Sequence, residues 1–154
     1  MKEAHVGDNS VSAPVWESRV LPLSRRQLLT MNDRCHPMER ARRTRQLRHW
    51  GYLLGREGRG VARLSLVRAR VVFEVAYPDQ RRRDRHNLAP TIKALVDGLI
   101  DAGLLPDDDD QHLDGPYTIV ATRLAQRRLN VSMYEISAVV YVDCAEVADE
   151  AAGV

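Results

Sequence analysis

The chain has 154 residues with a net charge of +2 and 44% hydrophobic content, enough for one domain with its own core. Cys35 and Cys144 are its two cysteines, and neither sits in a CxxC or Cys/His zinc pattern, so a disulfide framework and a zinc ribbon are excluded. No apolar run reaches the length of a membrane span and the N-terminus lacks a signal-peptide core, so the expectation is a cytoplasmic protein without membrane contact. Of its 23 basic residues all but Lys2 and Lys93 are arginine. Genomic base composition explains such a bias, and so does phosphate recognition, where the planar arginine fork is favoured.

Residues 1–24 show no sustained periodicity and are interrupted by Pro14 and Pro22. They read as a flexible N-terminal extension ending in a short strand. The domain is expected over 25–142. It opens with a basic segment, in which a helix starts near Pro37. Met38, Ala41, Leu47, Trp50 and Leu54 share a face at helical spacing, and Gly55, Gly58 and Gly60 end the helix. The arginines around it are either a solvated surface or an electrostatic footprint for nucleic acid.

Residues 64–77 alternate as a strand with one apolar face, closed by Pro78. Residues 88–102 form the best helix: Leu88, Ile92, Leu95, Val96 and Leu99 make a core-facing stripe. Asn87 is its expected N-cap, Pro90 fits in the first turn, and Gly103 fits just past the end. Lys93, Asp97 and Asp101 fall on the polar face. Gly115-Pro116 reads as a turn, followed by strands over 117–124 and 129–142 that pair antiparallel around Gln126–Arg128. Residues 143–154 form an acidic, alanine-rich tail. The element order predicts an α+β fold: a small single domain with a mixed β-sheet packed against helices.

The chemistry concentrates in 81–110. Arg81, Arg82, Arg83 and Arg85 surround Asp84; Lys93 rides on the helix; Asp107 to Asp110 follow it. Carboxylates for a divalent metal, a cation for developing charge and arginines for a phosphate backbone are what phosphodiester hydrolysis needs. The plain alternatives are a solvated acidic loop and a Lys93–Asp97 surface pair. The acidic run is not an EF-hand, because Ala121 stands where a bidentate glutamate is required. Asp84 and the acidic run lie at opposite ends of one helix. They converge only if the loops fold back, or if the strand after the run pairs beside the strand ending at Tyr77.

Arg81-Arg82-Arg83-Asp84, Asn87, Lys93, Asp97, Leu99, Ala102-Gly103 and Asp107-Asp108 together resemble the RusA-type Holliday junction resolvases, in their actinobacterial and phage versions. The resemblance spans about residues 28–142 and is specific in 81–108. Upstream, Asn32-Asp33-Arg34 and the arginine-rich helix, with Arg42 and Arg45, look like the family's N-terminal region. The resemblance implies a RusA-like fold and a homodimer acting on branched DNA such as a four-way junction, in recombination and repair. It implies magnesium, with manganese as a substitute. It makes Asp84, Lys93 and Asp108 the catalytic residues. Asp84, His86, Asp107 and Asp108 become the metal set. Arg81, Arg82, Arg83, Arg85, Asn87, Asn32, Arg34, Arg42 and Arg45 become DNA contacts. One departure stands out: the family's second aspartate is replaced by His86, a neutral and softer ligand than magnesium prefers. Asp109 or Asp110 can supply the missing charge, or His86 can ligate a transition metal. Alternatively, catalysis is weakened while DNA binding persists, and the protein is a non-catalytic branched-DNA-binding module.

Overall fold

A computed structural model describes residues 13–60 and 68–142. The elements in chain order are β1 (Trp16–Glu17), β2 (Leu21–Ser24), a 3-10 turn Arg25–Gln27, α1 (Pro37–Glu57), β3 (Arg59–Gly60), β4 (Ala69–Ala76), a 3-10 turn Arg85–Leu88, α2 (Ala89–Asp101), β5 (Leu113–Val120) and β6 (Met133–Tyr141). The strands form one mixed sheet in the order β3-β1-β6-β4-β5, with β2 also pairing along β6. The expected α+β class, a single small domain with a mixed sheet and helices, is what the chain adopts.

Local chemistry accounts for the helices. Pro37 opens α1, and the His36 imidazole Nδ1 accepts from the Met38 N–H at 3.1 Å. The buried stripe of α1 is Leu47, Gly51 and Leu54. Met38 and Ala41, expected on that stripe, are exposed, and Trp50 is half-buried. All five expected apolar positions of the second helix, from Leu88 to Leu99, are buried. Gly103 takes φ +86°, its N–H reaches the Ile100 carbonyl, and the Leu104 N–H reaches that of Leu99. That pairing closes α2 in the Schellman manner, with Leu104 buried behind it.

The two helices cross closely because glycines meet backbone. A Cβ on Gly51 would lie 2.3 Å from the Leu95 carbonyl oxygen, and one on Gly98 would lie 2.1 Å from that of Arg48. Helix and sheet residues share one core, with Val71, Phe73 and Val75 of β4 and Ile136, Ala138 and Val140 of β6 at its centre. The expected alternation of β4 therefore holds from Ala69 onward; residues 61–67 lie outside the described residues.

Several expectations are corrected. Residues 16–24 are not loose: β1 and β2 pair antiparallel with successive parts of β6, and Trp16 is buried. Asn87 does not cap α2. It lies inside the 3-10 turn, whose cap is Asp84, and Leu88 precedes the helix. The last two strands are not a hairpin. β4 stands between them, parallel to β5 and antiparallel to β6. Gly115-Pro116 lies within β5 at a shift of register, tolerated because β5 is an edge strand where a missing N–H breaks no second ladder. Leu129 and Asn130, at φ 49° and 61°, form the turn before β6, so the start expected at 129 moves to Met133. The tail 143–154 and residues 1–12 lie outside the described residues.

Candidate functional site

The parallel pairing of β4 with β5 is what sets the site out. Leu113 opens β5 beside Ala69, at the opposite end of β4 from Tyr77 and Asp84. An eight-residue strand separates the two ends by about 26 Å. Pairing alone therefore does not unite the acidic run with Asp84. Instead the loop after α2 doubles back along the helix and delivers Asp108 to Lys93, whose ammonium donates to its carboxylate. Lys93 also donates to Asp97 at 2.7 Å, completing an exposed Asp97–Lys93–Asp108 group on the outer face of α2. Asp101 does not join it, because Arg48 of α1 takes both its oxygens at 2.5 and 2.7 Å.

These contacts set the charge states. Hydrogen bonds donated to Asp108 and then to Asp97 raise the Lys93 ammonium above its ordinary range, while Lys93 lowers Asp108. The Asp107 carboxylate accepts from the Asp108 N–H at 2.7 Å. Asp109 is engaged within its own turn, with its Oδ1 2.5 Å from the Nδ1 of His112 and accepting from the backbone N–H groups of Gln111 and His112.

A second feature lies at the other end of β4. A cleft of about 570 Å³ opens where the strand runs out. The loop after β4 contributes Arg82, Arg83, Asp84, His86 and Asn87. Asn32 faces it from the segment before α1, and Arg25 from the 3-10 turn after β2. Tyr77 and Tyr134, at the ends of the neighbouring strands β4 and β6, complete it.

Polar contacts hold the cleft together, the buried ones at Thr91. The Thr91 hydroxyl donates to the Leu29 carbonyl at 2.7 Å and accepts the Leu29 N–H at 2.8 Å, pinning the Asn32 segment onto α2. The Met31 N–H reaches the Asn87 carbonyl at 2.9 Å. Asp33 accepts from Arg25 at 2.6 Å and from the Thr30 N–H at 2.8 Å. Burial raises its pKa, but these donors outweigh burial and hold it below the ordinary range. Asp84 accepts the His86 N–H at 2.9 Å, which is an N-capping role whatever else it does. Arg83 pairs with Asp79 at 2.7 Å, and its guanidinium lies 5.1 Å from the Tyr77 ring centroid and 5.8 Å from that of Tyr134. The two rings meet edge to face at 5.8 Å.

The candidate residues thus divide between two places. Asn32, Arg82, Arg83, Asp84, His86 and Asn87 line the cleft. Lys93, Asp107 and Asp108 lie along the outer face of α2. Arg81 and Arg85 are exposed beside the cleft without lining it, and Arg34, Arg42 and Arg45 are exposed away from it, Arg42 being held by Glu39 at 2.8 Å. Among the described residues, no three or more His, Cys, Asp or Glu side chains are grouped so as to hold a metal ion. The implied metal set of Asp84, His86, Asp107 and Asp108 is therefore not a ready-made cage. Its three carboxylates suit magnesium, which takes one or two of them and completes its shell with water and phosphate, while the His86 imidazole suits it poorly.

Sequence reading missed Tyr77, Tyr134 and Arg25. Tyr77 carried a signal, as the last apolar residue before Pro78 and an arginine run. Tyr134 had none, because only the β4–β6 pairing brings it there. Among the described residues no helix is long and apolar enough to cross a membrane. Compared with models of protein families and with curated proteins, the chain matches none.

Proposed function

We propose that this protein is a metal-dependent, structure-selective DNA endonuclease of the RusA type, acting as a homodimer on four-way junctions. One observation carries the reading. Asn32 and the Arg82–Asn87 loop, remote in sequence, line one arginine-rich cleft, and the helix that leaves this cleft bears Lys93 against Asp108. Those residues are part of the set singled out by the resemblance, drawn from segments that composition alone does not connect.

Magnesium would be held by Asp84 with Asp107 and Asp108, His86 assisting, only once the acidic loop leaves Lys93 and moves toward the cleft, and would supply positive charge and an activated water for phosphodiester hydrolysis. The chain's own residues do the rest. Arg82 and Arg83 draw the phosphate backbone to the cleft mouth. Lys93 keeps its proton on Nζ, since Asp108 and Asp97 raise its pKa, and can donate to a phosphate or leaving oxygen. Two symmetric subunits match the two-fold symmetry of a junction and allow paired nicks. Localisation is cytoplasmic in this reading.

The test is nicking of a synthetic four-way junction with Mg²⁺ or Mn²⁺, from neutral to mildly alkaline pH. Paired nicks near the crossover are expected. Tight, salt-sensitive binding without nicking in either metal would instead establish the second reading, a non-catalytic branched-DNA-binding module. The observation favouring that alternative is that Lys93 neutralises Asp108 and that no three ligand side chains are grouped among the described residues.

A further inference from the structure

Among the described residues, two buried polar atoms at the cleft have no hydrogen-bond partner: the Tyr77 hydroxyl and the Asn87 Oδ1. Tyr77 is only 7% exposed, and burial pushes its phenol pKa up, so it keeps its proton and remains a donor. Leaving such an atom unpaired costs about 1–3 kcal/mol, which a fold sheds unless the atom serves a partner. Both residues line the same cleft, so a ligand that shifts either side chain on entry gains a donor and an acceptor that are otherwise unpaired.

The surroundings define the ligand class. Arg83 is held by Asp79 against the Tyr77 and Tyr134 rings, a fixed planar cation of the kind on which bases stack. Arg82 is exposed and, among the described residues, has no hydrogen-bond or ion-pair partner, which leaves it available for a phosphate. The cleft volume of about 570 Å³ falls in the range of small-ligand sites. A planar group that stacks, offers a hydrogen-bonding edge and carries a phosphate is a nucleotide. A base in a duplex has its Watson–Crick edge already occupied, so the nucleotide must be unpaired.

We propose that the cleft takes one unpaired nucleotide of a DNA strand. Its base edge meets Tyr77 and Asn87, its ring stacks on Arg83, and its phosphate meets Arg82. The inference rests on the nucleic-acid reading above and deepens it: the protein recognises a branch through a nucleotide that has left the stack.

The experiment is equilibrium binding of the full chain, in EDTA, to two DNA probes of equal length. One is fully paired and the other carries a single-nucleotide bulge. Tighter binding to the bulge is expected. Tyr77→Phe should reduce that preference about threefold to tenfold, the worth of one hydrogen bond, without weakening duplex binding. Its Tm should be equal or higher, because an orphaned hydroxyl has been removed. A purely structural Tyr77 predicts the opposite, a lower Tm with both affinities falling together. Arg82→Gln, an exposed change that leaves the core alone, should weaken binding and lower the salt slope by about one. Equal affinity for the two probes, or a preference untouched by Tyr77→Phe, overturns the proposal. So does competition by a free deoxynucleoside monophosphate at probe-like concentrations, which would make the site one for small molecules. EDTA separates this proposal from catalysis. Bulge preference without junction nicking sinks the endonuclease reading alone, and nicking without bulge preference sinks this subsite alone.

Discussion

Lys93 and Asp108, fifteen residues apart in sequence, form an ion pair on the outer face of α2, and Asp97 shares the same ammonium. The pair joins the helix to the loop that doubles back along it. It also places the two residues the proposed chemistry most needs in direct contact. Asp108→Asn keeps the shape and one acceptor oxygen but removes the charge. Junction nicking should fall by at least a hundredfold while junction affinity stays level or rises, as gel-based nicking and binding titrations would measure together. Full activity in that variant would remove Asp108 from the proposed metal set.

The pH behaviour of this pair has a defined sign. Lys93 is raised in the folded state, so its contribution is complete below the ordinary lysine pKa and is lost as pH rises through the higher folded value. Asp108 is lowered, so its contribution is present above the ordinary aspartate pKa and is lost as pH falls through the lower folded value. Between those limits the contribution is flat. Lys93 is 57% exposed and Asp108 36%, so the pair is worth less than about 1 kcal/mol. Lys93→Met should therefore shift Tm by under about 3 °C at neutral pH while removing nicking. A large thermal shift in calorimetry would make Lys93 a structural residue.

Thr91 makes a sharper stability prediction. It is fully buried and satisfies both backbone groups of Leu29. Thr91→Val keeps the volume but leaves an N–H and a C=O unpaired, at a cost of about 2–4 kcal/mol. The same change frees the Asn32 segment from α2, so junction affinity should drop as well. Chemical denaturation and binding titrations on the one variant read both effects.

The helix crossing can be probed at Gly98. Gly98→Ala puts a methyl against the Arg48 carbonyl and should cost about 1–3 kcal/mol as the helices are forced apart. Gly103→Ala meets nothing within 4 Å and suffers only from its φ of +86°, so its cost is about 1 kcal/mol. Denaturation midpoints should rank the two in that order. The reverse ranking would mean the α1–α2 contact is looser than described.

His86 tests where the resemblance breaks. It lines the cleft next to Asp84, while Asp109, one of the two proposed substitutes, is occupied by its own turn. His86→Asp adds a hard oxygen ligand and should raise Mg²⁺-supported nicking relative to Mn²⁺. An unchanged metal preference would leave His86 as a loop residue that meets DNA without touching metal.

Much of the fold was legible residue by residue. The stripe from Leu88 to Leu99, the alternation in β4, Pro37 at a helix start and Gly103 past a helix end each report a local rule, because burial of one face imposes a period and a cap imposes a dihedral angle. The rules weakened where a partner mattered. The buried stripe of α1 runs through Gly51 rather than Met38, since the helix pressed against it leaves no room for a side chain. Candidate site residues were legible by type and spacing, but not by place.

The sequence by itself determined the two helices and the strands β4 and β6, the apolar faces of α2 and β4, and which side chains carry the arginine, lysine and aspartate chemistry. Only the tertiary structure decided that β4 lies between β5 and β6, that Asn32 and Tyr134 meet the Arg82–Asn87 loop, and that Asp108 reaches Lys93 while Asp84 stays in the cleft. The reason is physical. Periodicity records whether a face is buried, and many partners bury a face equally well. The choice of partner belongs to long-range packing: two glycines that let α1 and α2 touch, a threonine that pins a remote segment, and a loop whose lysine contact turns it back along its own helix.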